Sequence, residues 1–237
     1  MNEPGSATGS ENGHRESESE QRTAIARFGI VLLLLLVTFV FLASGPTGHW
    51  VPLVAVLLQG ATLLAALAAS GSSRGLWRVA VVVVAVGLIS AAGVWLVDFD
   101  SADGVLFVLS ALLVGAAPVV IARSLVMRGI VDIHTVMGAL CIYVLLGMLW
   151  AFGFGAIGAF GSEPFFAQSG HANVSDYLYF SFVTLTTVGY GDLTAAGGIG
   201  RAVAVVEALT GQLYLVTVVA LVVSRMARAP RRRRESG

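Results

Sequence analysis

The sequence predicts an all-α membrane protein with six transmembrane helices and a re-entrant helix and loop between the fifth and the sixth. Hydrophobic residues make up 57% of the 237 residues and charged residues only 12%, which is too apolar for a surface in water. Of six apolar stretches, most are long enough to be membrane helices and only the first is marginal. A shorter apolar stretch lies between the last two and has the length of a few helical turns.

Charge and cysteine content exclude several classes of function. All 14 basic residues are Arg, and 14 acidic residues balance them to a formal net charge of zero. A neutral chain has no overall field to attract nucleic acid, so we predict no nucleic-acid partner. Cys141 is the only cysteine, which excludes an intramolecular disulfide and a cysteine-based zinc site. Arginine without lysine is what GC-rich codons would encode, and it indicates a bacterial source.

The first 22 residues are predicted to be a disordered cytoplasmic N-terminus. Glu, Ser, Gly and Asn cluster there without apolar periodicity, so the segment cannot bury enough surface to offset the entropy lost on ordering. Six apolar stretches follow, and most are long enough for a hydrocarbon core of about 30 Å. The predicted spans are Phe28 to Ala43, Val51 to Ala69, Leu76 to Val97, Gly104 to Ala122, Val136 to Phe160 and Ile199 to Val223.

The first span has an alternative interpretation. The run Phe28 to Ala43 follows Arg27 and ends near small residues, as a cleavable signal peptide does. Its apolar core is longer than the usual signal core of about 7 to 15 residues, and its acidic leader is atypical. We therefore favour a membrane span.

The distribution of arginine predicts the orientation of the chain. Every arginine except Arg201 lies in the N-terminal segment, the second loop, the fourth loop or the C-terminal tail. Cytoplasmic loops of membrane proteins carry an excess of basic residues. Both termini are therefore predicted to lie in the cytoplasm of a multi-pass protein of the cell membrane. The segment between spans five and six then faces outward.

The 38 residues from Gly161 to Gly198 are more than a connection between two helices needs. Gly161 to Ala172 are predicted to be irregular and loosely packed. Ser175 is a suitable N-cap, and Asp176 suits the positive end of a helix. The apolar run Tyr177 to Thr186 then makes about three helical turns, which is too short to cross the membrane. We predict a helix that enters the membrane and returns.

The residues that follow this short helix carry the most specific motif in the sequence. The five residues from Thr187 to Gly191 read Thr-Val-Gly-Tyr-Gly, which is identical to the selectivity-filter sequence of potassium channels. The chain therefore resembles the tetrameric potassium channels. The resemblance covers Val136 to Val223 and includes an outer helix, a pore helix, the filter and an inner helix, in that order.

The chemistry of a filter explains these residue types. Carbonyls at membrane depth that line an aqueous path replace the hydration shell of a dehydrating cation. Gly189 and Gly191 can adopt the positive φ that aims successive carbonyls in one direction. The resemblance implies that K+ binds at Thr187, Val188, Gly189 and Tyr190, and that four identical chains close the pore. K+ is then the permeant ion, and no cofactor is expected.

Residues around the filter are predicted to support it. Thr186 precedes the motif, and Asp192 follows it and caps the outer mouth. Tyr179, Phe180 and Phe182 are predicted to pack around the filter tyrosine and to hold the filter open. Many relatives have two tryptophans where Tyr179 and Phe180 stand, so the side chains around this filter differ in chemistry.

Three residues of the last span are candidates for the gate or hinge. Gly211 lies twenty residues past Gly191, a spacing that matches the hinge glycine of the family, and close helix packing is the alternative. Glu207 is an ionisable side chain inside a span, which indicates a function. It is predicted to accept hydrogen bonds from the pore helix or from Arg201, with charge near the permeation path as the alternative. Gln212 is predicted to turn toward the central cavity.

Residues 23–132 are predicted to form a four-helix membrane domain without gating charges, and residues 133–224 the pore domain. A voltage sensor needs several arginines along its fourth helix, each worth about 2.3 kcal/mol per 100 mV. Gly104 to Ala122 contain none, and Arg123 and Arg128 lie at the cytoplasmic end. Strong voltage gating is therefore not expected. The remaining candidate stimuli are lipid, pH, a separate subunit and the filter itself.

Residues 225–237 are predicted to form a basic cytoplasmic tail. Six arginines follow closely on the last span, namely Arg225, Arg228, Arg231, Arg232, Arg233 and Arg234. Such clusters bind anionic lipid at about 1 kcal/mol per basic residue near a charged surface. The same residues satisfy the topology rule, so a topology signal alone is the alternative.

The sequence thus predicts a potassium-selective channel that conducts K+ passively through a homotetrameric pore. The alternatives are a weakly selective cation channel and a subunit of a potassium uptake system. The complete filter disfavours the first, and the presence of only one helix-filter-helix unit disfavours the second. An enzyme is not expected, because the chain has no H-E-x-x-H motif and no paired intramembrane aspartates. Membrane lipids and further copies of the chain are the expected partners, and no soluble substrate is expected.

Overall fold

The structure, a computed structural model, describes residues 28–48, 50–70, 74–96, 102–128, 133–168 and 170–227. Within these ranges the chain forms α-helices and no named strand. The helices are α1 (Phe28–Ala43), α2 (Val51–Ser70), α3 (Arg74–Leu96), α4 (Ala102–Arg128), α5 (Ile133–Phe160), α6 (Val174–Leu185) and α7 (Gly198–Ala227). The predicted disordered segment 1–22 and residues 228–237 of the predicted tail lie outside the described residues.

Each predicted apolar stretch corresponds to one helix. The helices α2 to α5 and α7 are long and apolar enough to cross a membrane, whereas α1 is apolar but shorter. The helices α4 and α7 continue past their predicted ends, to Arg128 and Ala227, because hydropathy marks the apolar part of a helix and not the end of its backbone hydrogen bonding. The prediction of an all-α membrane protein is confirmed, and the number of six spans stays a prediction.

The helix α5 joins the two halves of the molecule. It shares the most extensive helix–helix interface with α4, and it also contacts α6 and α7. The helices α2 and α3 pack on α4, on the side away from α7. The helix α1 approaches α6, where the rings of Phe39 and Phe182 lie 4.8 Å apart between centroids. The short helix α6 is therefore held between α1, α5 and α7.

Glycines on α5 let aromatic rings come close to its backbone. A Cβ at Gly147 would lie 2.6 Å from the ring of Phe182, and a Cβ at Gly155 would lie 2.3 Å from the ring of Phe107. Real Cβ atoms do not approach other carbon atoms so closely, so only glycine fits at these positions. Without a hydrophobic driving force between helices in lipid, such close van der Waals packing is a main source of stability.

Gly161 to Ala172 are irregular and mostly exposed, as predicted, but two buried rings anchor the segment. Phe165 and Phe166 are buried, with 7% and 2% of their surface exposed. Their rings lie within 6 Å of other rings, centroid to centroid, in a cluster that also contains Phe154, Tyr177 and Phe180. Each buried aromatic ring removes a large apolar area from solvent, and this gain orders the segment.

The same segment is hydrogen-bonded to the chain that follows the Thr187 to Gly191 motif. Phe166 and Ala195 form an isolated antiparallel bridge. The N–H of Ala167 donates to the carbonyl of Thr194 at 2.9 Å, and the side chains of Gln168 and Thr194 are joined at 2.8 Å. The chain therefore closes on itself around α6.

Apolar side chains remain exposed on the outside of α1 and α3. Leu33 and Val40 on α1 are 61% and 63% exposed, and Ile89 on α3 is 71% exposed. An apolar surface of this kind is favourable in lipid and costly in water. The exposed faces of α1 and α3 are consistent with a membrane environment.

The close contact at Gly155 can be tested against its neighbour Gly153, because a Cβ at Gly153 meets nothing within 4 Å. We expect Gly155→Ala to destabilise the purified protein by about 1–3 kcal/mol through overpacking. Gly153→Ala should be neutral or slightly stabilising, since alanine has the higher helix propensity. The measurement is the melting temperature of both variants in detergent. Equal shifts in the two variants would contradict the proposed packing of Phe107.

Candidate functional site

The N-cap of α6 is Asn173 and not the predicted Ser175. Asn173 has extended backbone angles (φ −93°, ψ 168°), and its N–H donates to Asp176 Oδ2 at 2.8 Å. Ser175 instead lies within the first turn. Asparagine is as good an N-cap as serine, and the acidic side chain three residues later completes a reciprocal capping arrangement. Asp176 lies in the first turn, where its charge suits the helix dipole, as expected.

The helix α6 ends in a Schellman motif whose left-handed residue is Thr187, with φ of 60°. The N–H of Val188 donates to the carbonyl of Val183 at 3.0 Å, and the N–H of Thr187 donates to the carbonyl of Thr184 at 2.9 Å. Glycine usually fills this position, because a β-branched residue is strained there. The strain costs on the order of 1–3 kcal/mol and persists only where the surroundings hold it.

Backbone angles alternate along the motif. Thr187, Gly189 and Gly191 have positive φ values of 60°, 55° and 81°, and Val188 and Tyr190 do not. Such alternation turns successive peptide groups so that their carbonyls can point to one side of the chain. A Cβ at Gly189 or Gly191 would meet no atom of this chain within 4 Å. These positions therefore require glycine because of their backbone angles and not because of crowding.

Tyr179 on α6 contacts two residues that follow Gly189, namely Tyr190 and Asp192. Its hydroxyl donates to Asp192 Oδ2 at 2.7 Å, and its ring stacks on Tyr190 with centroids 6.5 Å apart. A phenol is protonated at neutral pH, so Tyr179 is the donor and the Asp192 carboxylate is the acceptor of this hydrogen bond. Tyr179 therefore ties the motif to α6 at its outer end.

The other predicted support residues lie elsewhere. The ring of Phe182 packs against Phe39 of α1, and Phe180 belongs to the aromatic cluster around Phe165. The described residues give neither of them a ring contact with Tyr190. The Thr186 hydroxyl donates to the carbonyl of Phe182 at 2.6 Å and closes the last turn of α6. Phe180 and Phe182 hold α6 in place, and of the three predicted rings Tyr179 is the one that stacks on Tyr190 in the described residues.

The helix α7 passes directly under the end of α6. A Cβ at Gly211 would lie 2.4 Å from the carbonyl oxygen of Leu185, the last residue of α6. The next residue, Gln212, donates from Nε2 to the Thr187 hydroxyl at 3.1 Å. α7 is continuous through Gly211, which therefore has a packing reason of its own. The hinge role of Gly211 stays a prediction.

Glu207 is fully buried and meets Ser181 of α6. Its Oε1 lies 2.5 Å from the Ser181 hydroxyl, which also lies 2.7 Å from the carbonyl oxygen of Gly147 on α5. Of the two predicted partners, the pore-helix side chain is the one found. Arg201 instead donates from Nε to the carbonyl of Ala195 at 3.0 Å.

Several residues of this site were not singled out from the sequence. Ser181 was treated as part of an apolar run, although a small hydroxyl within a hydrophobic helix signals a partner for a buried polar group. Gln168 and Thr194 gave no signal, because their pairing joins segments far apart in the sequence. Arg225 lies in the last turns of α7, but its side chain and the remaining predicted lipid-binding arginines lie outside the described residues.

The segment that matches a known protein family is the one that contains this site. Residues 139–228 match the family model described as an ion channel, from the first turns of α5 to just past α7. This part of the chain is therefore similar to the ion channel family over 90 of the 237 residues. The recognition of a channel family from the motif is thereby confirmed, and the matched segment includes α6 and the residues Thr187 to Gly191. Comparisons with curated proteins and with solved structures found no match.

The contact between Gly211 and Leu185 gives a test in this channel. We expect Gly211→Ala to push α7 away from α6, to break the Gln212–Thr187 hydrogen bond and to reduce ion flux in liposomes by about tenfold or more, because a backbone carbonyl cannot yield to the added Cβ. Gly198→Ala, at the start of the same helix, meets nothing within 4 Å and should leave flux unchanged. Wild-type flux in Gly211→Ala would show that the two helices are not in this contact when the channel conducts.

Proposed function

We propose that the protein is a potassium-selective channel that conducts K+ passively through a pore formed by four copies of the chain. The observation that carries this proposal is the alternation of φ along Thr187 to Gly191, in a motif identical to the potassium filter, at the end of a helix too short to cross the membrane. The family match to ion channels supports it. The motif indicates that the permeant ion is K+, and the family match indicates that the activity is that of an ion channel.

The chemistry of selection rests on backbone oxygens. Carbonyls at Thr187, Val188, Gly189 and Tyr190 replace the water around a dehydrated K+, and the Thr187 hydroxyl adds an oxygen at the inner end. The α6 C-terminus, with its partial negative charge, points toward the same ion path and stabilises a cation there. In this proposal α6 is the re-entrant pore helix, and Gly191 and Asp192 form the outer mouth.

One chain supplies one wall of such a pore. Val188 and Tyr190 are 53% and 71% exposed in the single chain, and on α7 Leu213 and Val216 are 68% and 66% exposed. Large apolar side chains next to a polar ion path need cover from protein, because water and ions fill the pore itself. A ring of four identical chains provides this cover and closes the pore.

The rest of the chain surrounds this pore in the proposal. The helices α1 to α4 form a membrane domain without gating charges, so the protein has six spans with both termini in the cytoplasm of a bacterial cell. The helix α4 carries its two arginines, Arg123 and Arg128, near its C-terminal end. The arginines of the tail bind anionic lipid of the inner leaflet, and membrane lipids and further copies of the chain are the partners.

Two other functions remain as alternatives. A weakly selective cation channel would pass Na+ nearly as well as K+, and a subunit of a potassium uptake system would need a partner subunit to move K+. The complete motif favours the selective channel over the first. The occurrence of one motif per chain favours it over the second, because coupled systems of that kind repeat the unit.

The filter proposal predicts the effect of Gly189→Ala. Because Gly189 has φ of 55°, a Cβ there strains the backbone and misdirects its carbonyl, so we expect K+ flux to be lost while the tetramer still assembles. The measurement is flux of K+ and of Na+ from liposomes that contain the purified full chain, with native mass spectrometry for the number of chains. Gly197→Ala is the matched control, since it lies outside the motif and has open space.

The outcomes of this experiment separate the alternatives. Equal K+ and Na+ flux in wild type would identify a weakly selective cation channel. No flux at all from correctly assembled tetramers would favour the uptake subunit. Undiminished K+ flux in Gly189→Ala would contradict the assignment of the filter.

Weak voltage dependence is a further expected outcome. Each charge moved through the membrane field is worth about 2.3 kcal/mol per 100 mV, and the described fourth helix has no series of arginines to move. We expect the open probability to change little between about −100 and +100 mV in planar bilayers. A steep sigmoidal response that survives replacement of Arg123 and Arg128 would show that another element carries gating charge.

A further inference from the structure

We propose that Glu207 is a neutral carboxylic acid that donates its proton to Ser181, and that this bond positions the pore helix between the inner and the outer helix. Glu207 is then a positioning residue, since it acts through α6 and does not touch the ion. The expected effect of Glu207 on ion flux rests on the channel function proposed above.

The geometry places three elements at one hydroxyl. The Ser181 oxygen lies 2.5 Å from Glu207 Oε1 on α7 and 2.7 Å from the carbonyl oxygen of Gly147 on α5. Ser181 and Glu207 are both 0% exposed. A single buried hydroxyl group thus bridges α5, α6 and α7.

Counting protons decides the form of Glu207. A serine hydroxyl has one hydrogen to donate, and a peptide carbonyl can only accept. If Glu207 were ionised, both neighbours of Ser181 would be acceptors, and one of the two short contacts would face lone pair against lone pair. If Glu207 is protonated, it donates to Ser181, which in turn donates to the Gly147 carbonyl, and both contacts are hydrogen bonds.

The surroundings of Glu207 agree with the neutral form. Its second oxygen, Oε2, is buried and has no hydrogen-bond partner within the described residues. A carboxylate with one oxygen unpaired in an apolar interior is costly, whereas the carbonyl oxygen of an acid tolerates the loss far better. No salt bridge to Glu207 is formed in the described ranges, and Arg201 is occupied by the Ala195 carbonyl.

The other titratable groups near Glu207 are phenols. Tyr143 lies on α5 one turn before Gly147, and its hydroxyl also has no partner in the described part of the chain. The ring of Tyr143 stacks on Tyr214 of α7 with centroids 5.8 Å apart, and the Tyr214 hydroxyl donates to the carbonyl of Ala139 at 2.6 Å. Neither phenol supplies a positive charge that would stabilise a carboxylate.

The bond has a consequence for the filter. Ser181 lies one and a half helical turns before Thr187, and Glu207 lies one turn before Gly211, which touches the end of α6. Together with the Gln212–Thr187 hydrogen bond, α7 holds α6 along its last two turns. Loss of the Glu207–Ser181 bond would free α6 to shift, and the filter that begins at its end would shift with it.

Two variants separate the neutral acid from a carboxylate. Glu207→Gln keeps a neutral donor of the same length, so we expect K+ flux and K+ over Na+ selectivity within about twofold of wild type. Glu207→Met keeps the length and removes the donor, so flux or selectivity should fall by about fivefold or more. Ser181→Ala should lose flux to a similar degree, and combining it with Glu207→Met should add little, since both remove the same bond.

The protonation state has a readout of its own. In infrared difference spectra between wild type and Glu207→Gln at neutral pH, we expect the carbonyl stretching band of a protonated carboxylic acid, shifted in D2O and absent in the variant. Native mass spectrometry and the melting temperature establish that each variant is folded. If Glu207→Met or Ser181→Ala does not fold, the comparison of Glu207→Gln with wild type decides alone.

Each result has one interpretation. A carboxylate band in place of the acid band, or loss of flux in an assembled Glu207→Gln tetramer, would overturn the proposal because it would show that the charge is required. Wild-type flux and selectivity in Glu207→Met would overturn the positioning role. If the wild-type protein passes no K+ at all, the channel function fails, while the infrared band still decides the state of Glu207.

Discussion

The structure depends on the way the chain leaves the helix α6. A backbone that stops being helical at membrane depth must find partners for its peptide groups or turn them toward water. Here the N–H groups of Val188 and Gly189 both return to the carbonyl of Val183, while the left-handed Thr187 redirects the chain. The N–H groups are satisfied by the helix, and the carbonyls of the motif are left for another partner. Every other contact of α6 serves to hold this reversal in position.

The contacts around α6 come from all sides and differ in kind. Apolar rings fix one face of it against α5 and the preceding segment, with Phe180 among Phe154, Phe165 and Phe166. Polar contacts to α7 hold its C-terminal part, through Ser181 and through the hydroxyl of Thr187. The bulk of the rings keeps α6 from sliding, whereas the hydrogen bonds fix the orientation of α6. A strained residue such as Thr187 can persist because both kinds of contact act on the same short helix.

Hydropathy predicted the helices well because each is an uninterrupted apolar stretch, and the filter motif predicted the positive φ of Gly189 and Gly191. The N-cap was placed two residues late, since Asn173 and Ser175 are equivalent in propensity and only the chain path decides between them. The packing of Phe165 and Phe166 was missed because it depends on a pairing with residues 194–196. The sequence did not decide whether Gly211 is a hinge or a close-packing position, because the spacing between glycines is the same in both cases.

The bridge between Phe166 and Ala195 makes α6 and the Thr187 to Gly191 motif part of a closed loop of chain, with its two ends joined to each other. Closing a loop of roughly thirty residues costs conformational entropy once, and each further contact inside it then forms locally. The loop therefore has the character of a module that meets the rest of the described chain through α1, α5 and α7. Such a module can be inherited whole by chains whose other helices differ, because its internal hydrogen bonds do not depend on them.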